Sequence, residues 1–326
     1  MNFSQIFNKQ SSGYSREPQN LKQFFSTYGI YIALLLIILI LSILSPTFLK
    51  PGNILNVLRQ SSINGIISIG MTLIIINGSI DLSVGAIVAV SAVIASSFAH
   101  TDSNYPLVVP LIIGIGMGAL LGAINGFIIS RTKIAPFIVT LGMMTAARGI
   151  ALVYTSGKPE INLSDSYKSI GGGLILGIPT PVIIFFLISL FGIFLLKYTR
   201  FGRQVYATGG NELAAKISGI NTKNVVWKVF IIAGALAGLV GIIVSSRVMA
   251  GAPSAGTGYE LDAIAAVVIG GTSLKGGYGS ILGTLTGVLI IAVMNNGLDI
   301  LGVSSYWQQI VKGAVIVMAA MLDKKK

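Results

Sequence analysis

Ten apolar stretches, at about 28–44, 59–77, 83–99, 106–130, 134–154, 179–196, 225–246, 263–274, 280–296 and 303–322, leave this 326-residue chain little with which to build a water-facing surface. Only 10% of its residues are charged, against roughly 25% in soluble domains. Stretches of this kind must face lipid, where helices satisfy every backbone group internally. The expected fold is an all-α polytopic membrane protein of about ten transmembrane helices. Its 40 glycines fit a tightly packed bundle, because helices in lipid associate through close backbone approach. The stretch 263–274 is too short to cross ~30 Å of hydrocarbon at about 1.5 Å per residue. It is expected to span poorly, or to re-enter as a hairpin with 280–296.

The bases sort by side. With the N-terminus internal, inner segments hold Lys9, Arg16, Lys22, Arg131, Lys133, the six bases from Lys197 to Lys228, Lys275, and Lys324 to Lys326, fifteen in all. Outer segments hold five: Lys50, Arg59, Lys158, Lys168 and Arg247. That asymmetry orients the bundle with both termini in the cytoplasm. It yields a polar cytoplasmic tail over 1–27, one transmembrane domain over 28–322 and a short basic cytoplasmic tail over 323–326. No small-residue cleavage site follows the first apolar stretch, so it reads as an uncleaved span. The net charge of +12 belongs to these loops and gives no reason to expect nucleic acid as a partner.

Several chemistries are unsupported. There is no cysteine, and the one histidine, His100, falls in an outer loop as an expected solvated residue. No Gly-x-x-x-x-Gly-Lys-Ser/Thr run exists; the glycine-rich stretch Gly270 to Gly279 has the wrong spacing for a phosphate loop. No paired carboxylates or ligand clusters stand out, so no catalytic residue, cofactor or metal is expected.

Glycines at 114, 118, 122 and 126 form a column on one helix face. Gly234 with Gly238, and Gly279 with Gly283 and Gly287, repeat the interval. These columns read as helix packing. The stretch Asn77-Gly-Ser-Ile-Asp-Leu-Ser-Val-Gly85 interrupts the apolar pattern, and Asp81 reads as the only acid near the apolar layer. Two readings of Asn77, Ser79, Asp81 and Ser83 stand side by side. One is a cap on the following helix; the other is a broken helix at a gate, since irregular backbone at membrane depth lines cavities. Arg148 and Lys312 fall inside spans: Arg148, near its outer end, can snorkel and reads as structural, and Lys312 has no evident acidic partner. Asn295, Asn296, Gln308 and Gln309 form a polar set that would face a hydrated route.

The longest basic polar insert, 197–224, carries Lys197, Arg200, Arg203, Lys216 and Lys223 against a single acid, Glu212. Within it, Asn211 is a good N-cap, Glu212 suits the first turn, Leu213-Ala-Ala-Lys-Ile217 favours helix, and Ser218-Gly219 suits the stop. Two turns are marginal alone, so the helix is expected to dock on a soluble partner. An ordinary solvated loop is the competing reading.

Four stretches resemble the permease subunit of bacterial ABC importers for monosaccharides. They are Gly78-Ser-Ile-Asp-Leu-Ser-Val-Gly85, Gly209-Gly-Asn-Glu-Leu-Ala-Ala-Lys-Ile-Ser-Gly-Ile220, Ala255 to Leu274, and Asn295-Asn-Gly-Leu-Asp-Ile-Leu-Gly-Val-Ser-Ser-Tyr306. The last is similar to the ribose branch of that family. Ser79 stands where glycine is usual, and Lys216 where arginine is common. The resemblance implies two copies of the chain forming one pathway in the bacterial cytoplasmic membrane. It further implies a cytoplasmic ATPase receiving the 211–219 helix and an extracytoplasmic sugar-binding protein docking outside. The alternative is an ion-coupled secondary transporter; a membrane enzyme is a distant third.

Overall fold

The computed structural model describes residues 19–103 and 105–323, so most of the expected N-terminal tail and residues 324–326 lie outside the described residues. The helices run α1 Gln19–Leu44, α2 Pro51–Ile76, α3 Val84–Ser97, α4 Val108–Arg131, α5 Pro136–Thr155 and α6 Asp165–Gly172. After the hairpin β1 Leu174–Ile175 and β2 Ile178–Pro179 come α7 Thr180–Tyr198, α8 Arg200–Gly210 and α9 Glu212–Ile217. The chain finishes with α10 Thr222–Val248, α11 Tyr259–Ile269, α12 Ile281–Ile300 and α13 Ser305–Asp323.

Every apolar stretch carries a helix. Among the described residues, α2, α4, α5, α7, α10 and α12 are long and apolar enough to cross a membrane. The apolar lengths of α1 and α3 are shorter, and α11 ends at Ile269, short of the expected 274. Helix α1 begins at Gln19, inside the expected polar tail. Boundaries follow local chemistry. Lys50 is extended before Pro51, as is Ala135 before Pro136, because a proline at the first helical position disfavours α geometry in the residue before it.

Helices α2, α3 and much of α10 are enclosed, whereas α5 and α7 expose Phe137, Val153, Phe186 and Phe194. The tightest pairing is α4 on α10. A Cβ at Gly118 would collide with the Gly234 carbonyl oxygen, and one at Gly122 with the carbonyl oxygen of Phe230. The column of Gly279, Gly283 and Gly287 does so for α12 on α11 only in part: Cβ atoms at Gly283 and Gly287 would strike the Gly270 and Ala266 carbonyl oxygens, whereas Gly279 lies in the loop before α12.

Two halves repeat one plan. In the first, α1, a long α2, an irregular break, a short α3 and two longer helices follow in order. In the second, α7, a long α10, the loop 249–258, a short α11 and two longer helices follow. The connections gather at two rims. One rim joins 77–83, 131–136, α8, α9 and 270–280. At the other, Glu160 pairs with Gly251, His100 with Leu163, and the Asn53 and Asn296 amides bind each other at 2.9 and 2.8 Å.

Gly118→Ala should lower the detergent-solubilised melting point by an amount corresponding to about 1–3 kcal/mol, the usual cost of overpacking. Gly116→Ala, whose Cβ meets nothing, should raise it slightly, because alanine favours helix by roughly 0.5–1 kcal/mol. Equal shifts for the pair would show that α4 does not rest on α10 through its glycines.

Candidate functional site

The insert folds as two helices joined at Asn211, where the sequence pattern revealed only the second. Thr199 caps α8 by accepting the Gly202 N–H at 3.0 Å, and Val205 turns inward. Asn211 accepts the Ala214 N–H at 2.9 Å and so starts α9. The stop follows at Ser218 and at Gly219, whose φ of +82° is cheap only for glycine. On α9, Lys216 binds Glu212 at 2.6 Å, and the Thr222 hydroxyl donates to the same carboxylate at 3.1 Å. The lysine's hydrogen bond is the main cause holding the Glu212 carboxyl below its usual range, against partial desolvation. A lowered pKa means that this clamp is present above the ordinary carboxylate pKa and is lost as pH falls through the folded value. Ala215 packs inward, while Leu213 and Ile217, one turn apart, are 69% and 79% exposed. Two adjacent aliphatic side chains on a polar rim form a surface that a partner would cover.

Helix α8 is tied to the bundle through glycines. Gly277 N–H donates to the Ile76 carbonyl at 2.8 Å, and Tyr206 Oη donates to Gly279 O at 2.8 Å. A Cβ at Gly209 would collide with the Ile76 carbonyl oxygen, and Gly276 lies against Gly78 and Gly209. The end of α2, the insert and the loop 270–280 therefore meet backbone to backbone.

Directly above lies the break. Asp81 is fully buried; its Oδ1 accepts the Ser83 N–H at 2.7 Å and the Ser83 hydroxyl at 2.6 Å. Asn125 of α4 donates to Ser83 Oγ at 2.9 Å, and Thr140 of α5 donates to the Ile80 carbonyl at 3.3 Å. Ser83 is itself the residue preceding α3, so Asp81 organises the turn rather than the first helical amides. Asn77, both of whose amide atoms lack a protein partner, and Ser79 line a cavity of about 590 Å³ with Arg131, Glu212 and Lys216.

At the opposite rim, several expectations are revised. Lys312 does have an acid: Asp262 of α11 binds it at 3.0 Å. That buried carboxylate, with half-buried Glu260, means Asp81 is not the only acid in the bundle. Arg148 has the structural role expected of it, through hydrogen bonds: its guanidinium donates to the Pro253 and Ala255 carbonyls at 2.6 and 2.9 Å, pinning the 249–258 loop. His100 sits 3.1 Å from the Glu160 carboxylate and is not simply solvated. Asn296 and Lys312 line a second cavity of about 380 Å³. Gln308 instead donates to Asp299 at 2.7 Å and to the Val303 carbonyl, and Asn295 is buried with its Oδ1 unpartnered. Asp262 escaped notice because its partner lies fifty residues downstream and no local spacing joins them.

A bundle of apolar helices broken at opposite rims, with an insert exposed at one of them, is the architecture of a polytopic membrane permease. The chain belongs to the family described as "Branched-chain amino acid transport system / permease component", whose profile matches residues 53–320. It is 51% identical to the ribose import permease of Bacillus subtilis, over 91% of this chain and 92% of the relative. The ribose import permease of Escherichia coli is 47% identical, over 90% of this chain and 92% of its own. The D-allose transport system permease of E. coli is 39% identical over 97% of both chains. No solved structure matches the chain.

Gly209→Ala should loosen the 270–280 loop and raise tryptic cleavage after Lys275 about tenfold, as local destabilisation near 1.4 kcal/mol implies. Gly210→Ala serves as control, since its Cβ meets only Gly277 Cα at 3.8 Å. Unchanged cleavage in Gly209→Ala would remove the glycine junction as a mechanical link.

Proposed function

We propose that this chain is the transmembrane subunit of an ATP-binding-cassette importer that moves ribose inward by alternating access, while a separate cytoplasmic ATPase hydrolyses the nucleotide. The observation that carries the reading is α9, a capped helix that turns Leu213 and Ile217 outward on a rim tied through Gly209 to the break at 77–83. Close similarity to ribose import permeases supports the sugar. The chain forms a homodimer, and an extracytoplasmic sugar-binding protein docks at the rim opposite α9.

In this reading the helices make ten crossings, with α11 the shortest. The single membrane domain covers 28–322, and loop 197–224 and both tails, 1–27 and 323–326, face the cytoplasm. The gathering of all basic-rich connections at one rim supports that orientation. The two halves have opposite senses because an odd number of crossings separates them. Asn211 to Gly219 form the coupling helix: the ATPase grips Leu213 and Ile217, and Glu212–Lys216 keeps the helix wound. Closure of the ATPase pulls on α8, and Gly209 passes the displacement to Ile76 and the Asn77–Ser83 turn, which acts as the inner gate.

Replacing 212–216 with a flexible glycine-serine stretch should leave membrane insertion intact and abolish co-purification of the ATPase. In cells, ribose uptake should survive collapse of the proton gradient and fail on ATP depletion. Normal uptake by the replaced chain would remove the docking assignment, and uptake that follows the proton gradient would favour an ion-coupled carrier.

Asp81→Asn keeps an oxygen for Ser83 and loses the charge. If the turn is a gate, uptake should fall at least about tenfold with the ATPase still bound, an effect on the order of 1.4 kcal/mol. Unaffected uptake would reduce Asp81 to a turn-forming residue.

A further inference from the structure

The cavity of about 380 Å³ at the rim opposite α9 lies among the start of α2, the ends of α10 and α12, the start of α11, and α13. Its volume falls within the ~300–1,000 Å³ range of small-molecule sites. Its wall differs from its surroundings: only one aliphatic residue lines it, although the helices that build it are largely apolar.

The charges on that wall balance. Two bases, Arg247 and Lys312, face two acids, Asp262 and Asp299. A site for an anion would carry a surplus of bases, and one for a cation a surplus of carboxylates. Here the surplus is of hydrogen-bonding groups, with the Gln60 and Asn64 amides and the single aromatic ring of Tyr259 completing the wall. Dense, mixed donors and acceptors with no net charge suit a neutral polyol.

The Asp262–Lys312 pair sharpens the point. Asp262 is 8% exposed and Lys312 27%, and each charge in such a setting costs several kcal/mol of desolvation that mutual attraction only offsets. Ionisable groups at this depth are functional by default. As a strut between α11 and α13 the pair would be replaceable by two packed aliphatic side chains. As a wall of a hydrated cavity it supplies charge-assisted hydrogen bonds to hydroxyl groups.

We propose that this cavity is an outer sugar-binding site of the permease itself, in which Asp262 accepts from sugar hydroxyls while Lys312 and Arg247 donate to sugar oxygens. Gln60 and Asn64 complete the hydrogen bonding, and Tyr259 covers one side. The proposal rests on the importer reading and adds that the permease recognises its cargo by hydroxyl pattern. A site built this way rejects deoxy analogues, because each missing hydroxyl leaves a polar wall group unpaired.

The chain's lack of cysteine makes the test direct. Asn56→Cys introduces a single thiol on the cavity wall at a side chain given no sugar contact, and Ser166→Cys one on the exposed surface of α6. Each variant is purified as the permease–ATPase complex, and its labelling by a small water-soluble maleimide is timed against ribose. Labelling of Asn56→Cys should slow along a saturation curve, reaching about tenfold at ten times the dissociation constant, since only the empty fraction reacts. Ser166→Cys should not respond. 2-Deoxyribose should protect at least about tenfold more weakly, and Asp262→Asn should abolish protection.

No protection up to about 100 mM ribose, a hundredfold above a 1 mM dissociation constant, would overturn the proposal. So would equal protection by sodium chloride, which would assign the cavity to ions. A third test is the exchange Asp262→Lys with Lys312→Asp. Restored uptake in the double variant would make the pair a structural strut; continued loss, with the ATPase still bound, supports sugar contact. Co-purification of the ATPase is scored in the same preparations. Its absence from the cysteine-bearing permease sinks the importer reading, whereas its presence without sugar protection sinks only this site.

Discussion

Backbone contact between α4 and α10 is the interaction on which the rest of the molecule depends. Lipid offers apolar helices no hydrophobic reason to associate, so cohesion comes from close packing and hydrogen bonds. Gly118, Gly122, Gly234 and Gly238 bring two helix backbones together along their length. That seam holds α3 between α10 and the outer helices, and Asn125 of α4 fixes the break at 77–83 through Ser83 and Asp81. Without the seam, Asn125 would not reach Ser83, and a buried carboxylate would lose the surroundings that organise its turn.

The repeated plan gives this core two unlike ends. In each half a long helix breaks before a short one, leaving polar backbone at one rim in the first half and at the other in the second. Each break is fixed differently. The first is tied to the insert by Gly209 and Gly277; the second is pinned by Arg148 holding the Pro253 and Ala255 carbonyls. In the proposed importer, these two broken regions at opposite rims would be the parts that move and the tight α4–α10 seam the part that holds.

Much of this was legible in the sequence, and the reason is physical. Apolar stretches located the helices because lipid imposes a uniform requirement on every spanning residue. Glycine columns marked faces of close helix packing because a four-residue interval maps onto one helix face, but not which helices meet there. Asn211, Glu212 and Gly219 announced α9 because capping is local chemistry. Helix α8 was missed, although Thr199 and the inward spacing of Val205 carry its signal. Pairings between distant residues were illegible: Asp262 with Lys312, Arg148 with the 249–258 carbonyls, His100 with Glu160. Nothing in a linear chain states which loop closes over which side chain.

Those distant pairings bear on how transport is powered. A carrier driven by protons or sodium needs an ionisable group whose charge state or ligand shell changes as the pathway switches. Among the described residues, most groups near such a route are already engaged, though Asp81 Oδ2 has no partner. Asp262 is matched by Lys312, Arg148 by two carbonyls, and Asp81 Oδ1 by both donors of Ser83. Changing the charge of Asp262 or Lys312 would strand a buried partner at a cost of several kcal/mol rather than toggle between two balanced states. Nor does the rest of the chain bring an alternative source of work, since it lacks a phosphate-binding loop. The remaining handle is mechanical: a capped helix with two exposed aliphatic side chains, joined by glycine contacts to the end of α2. In the proposed importer, force applied at Leu213 and Ile217 would reach Ile76 through α8 and the Gly209 contact, and the energy for switching would enter the membrane at that helix.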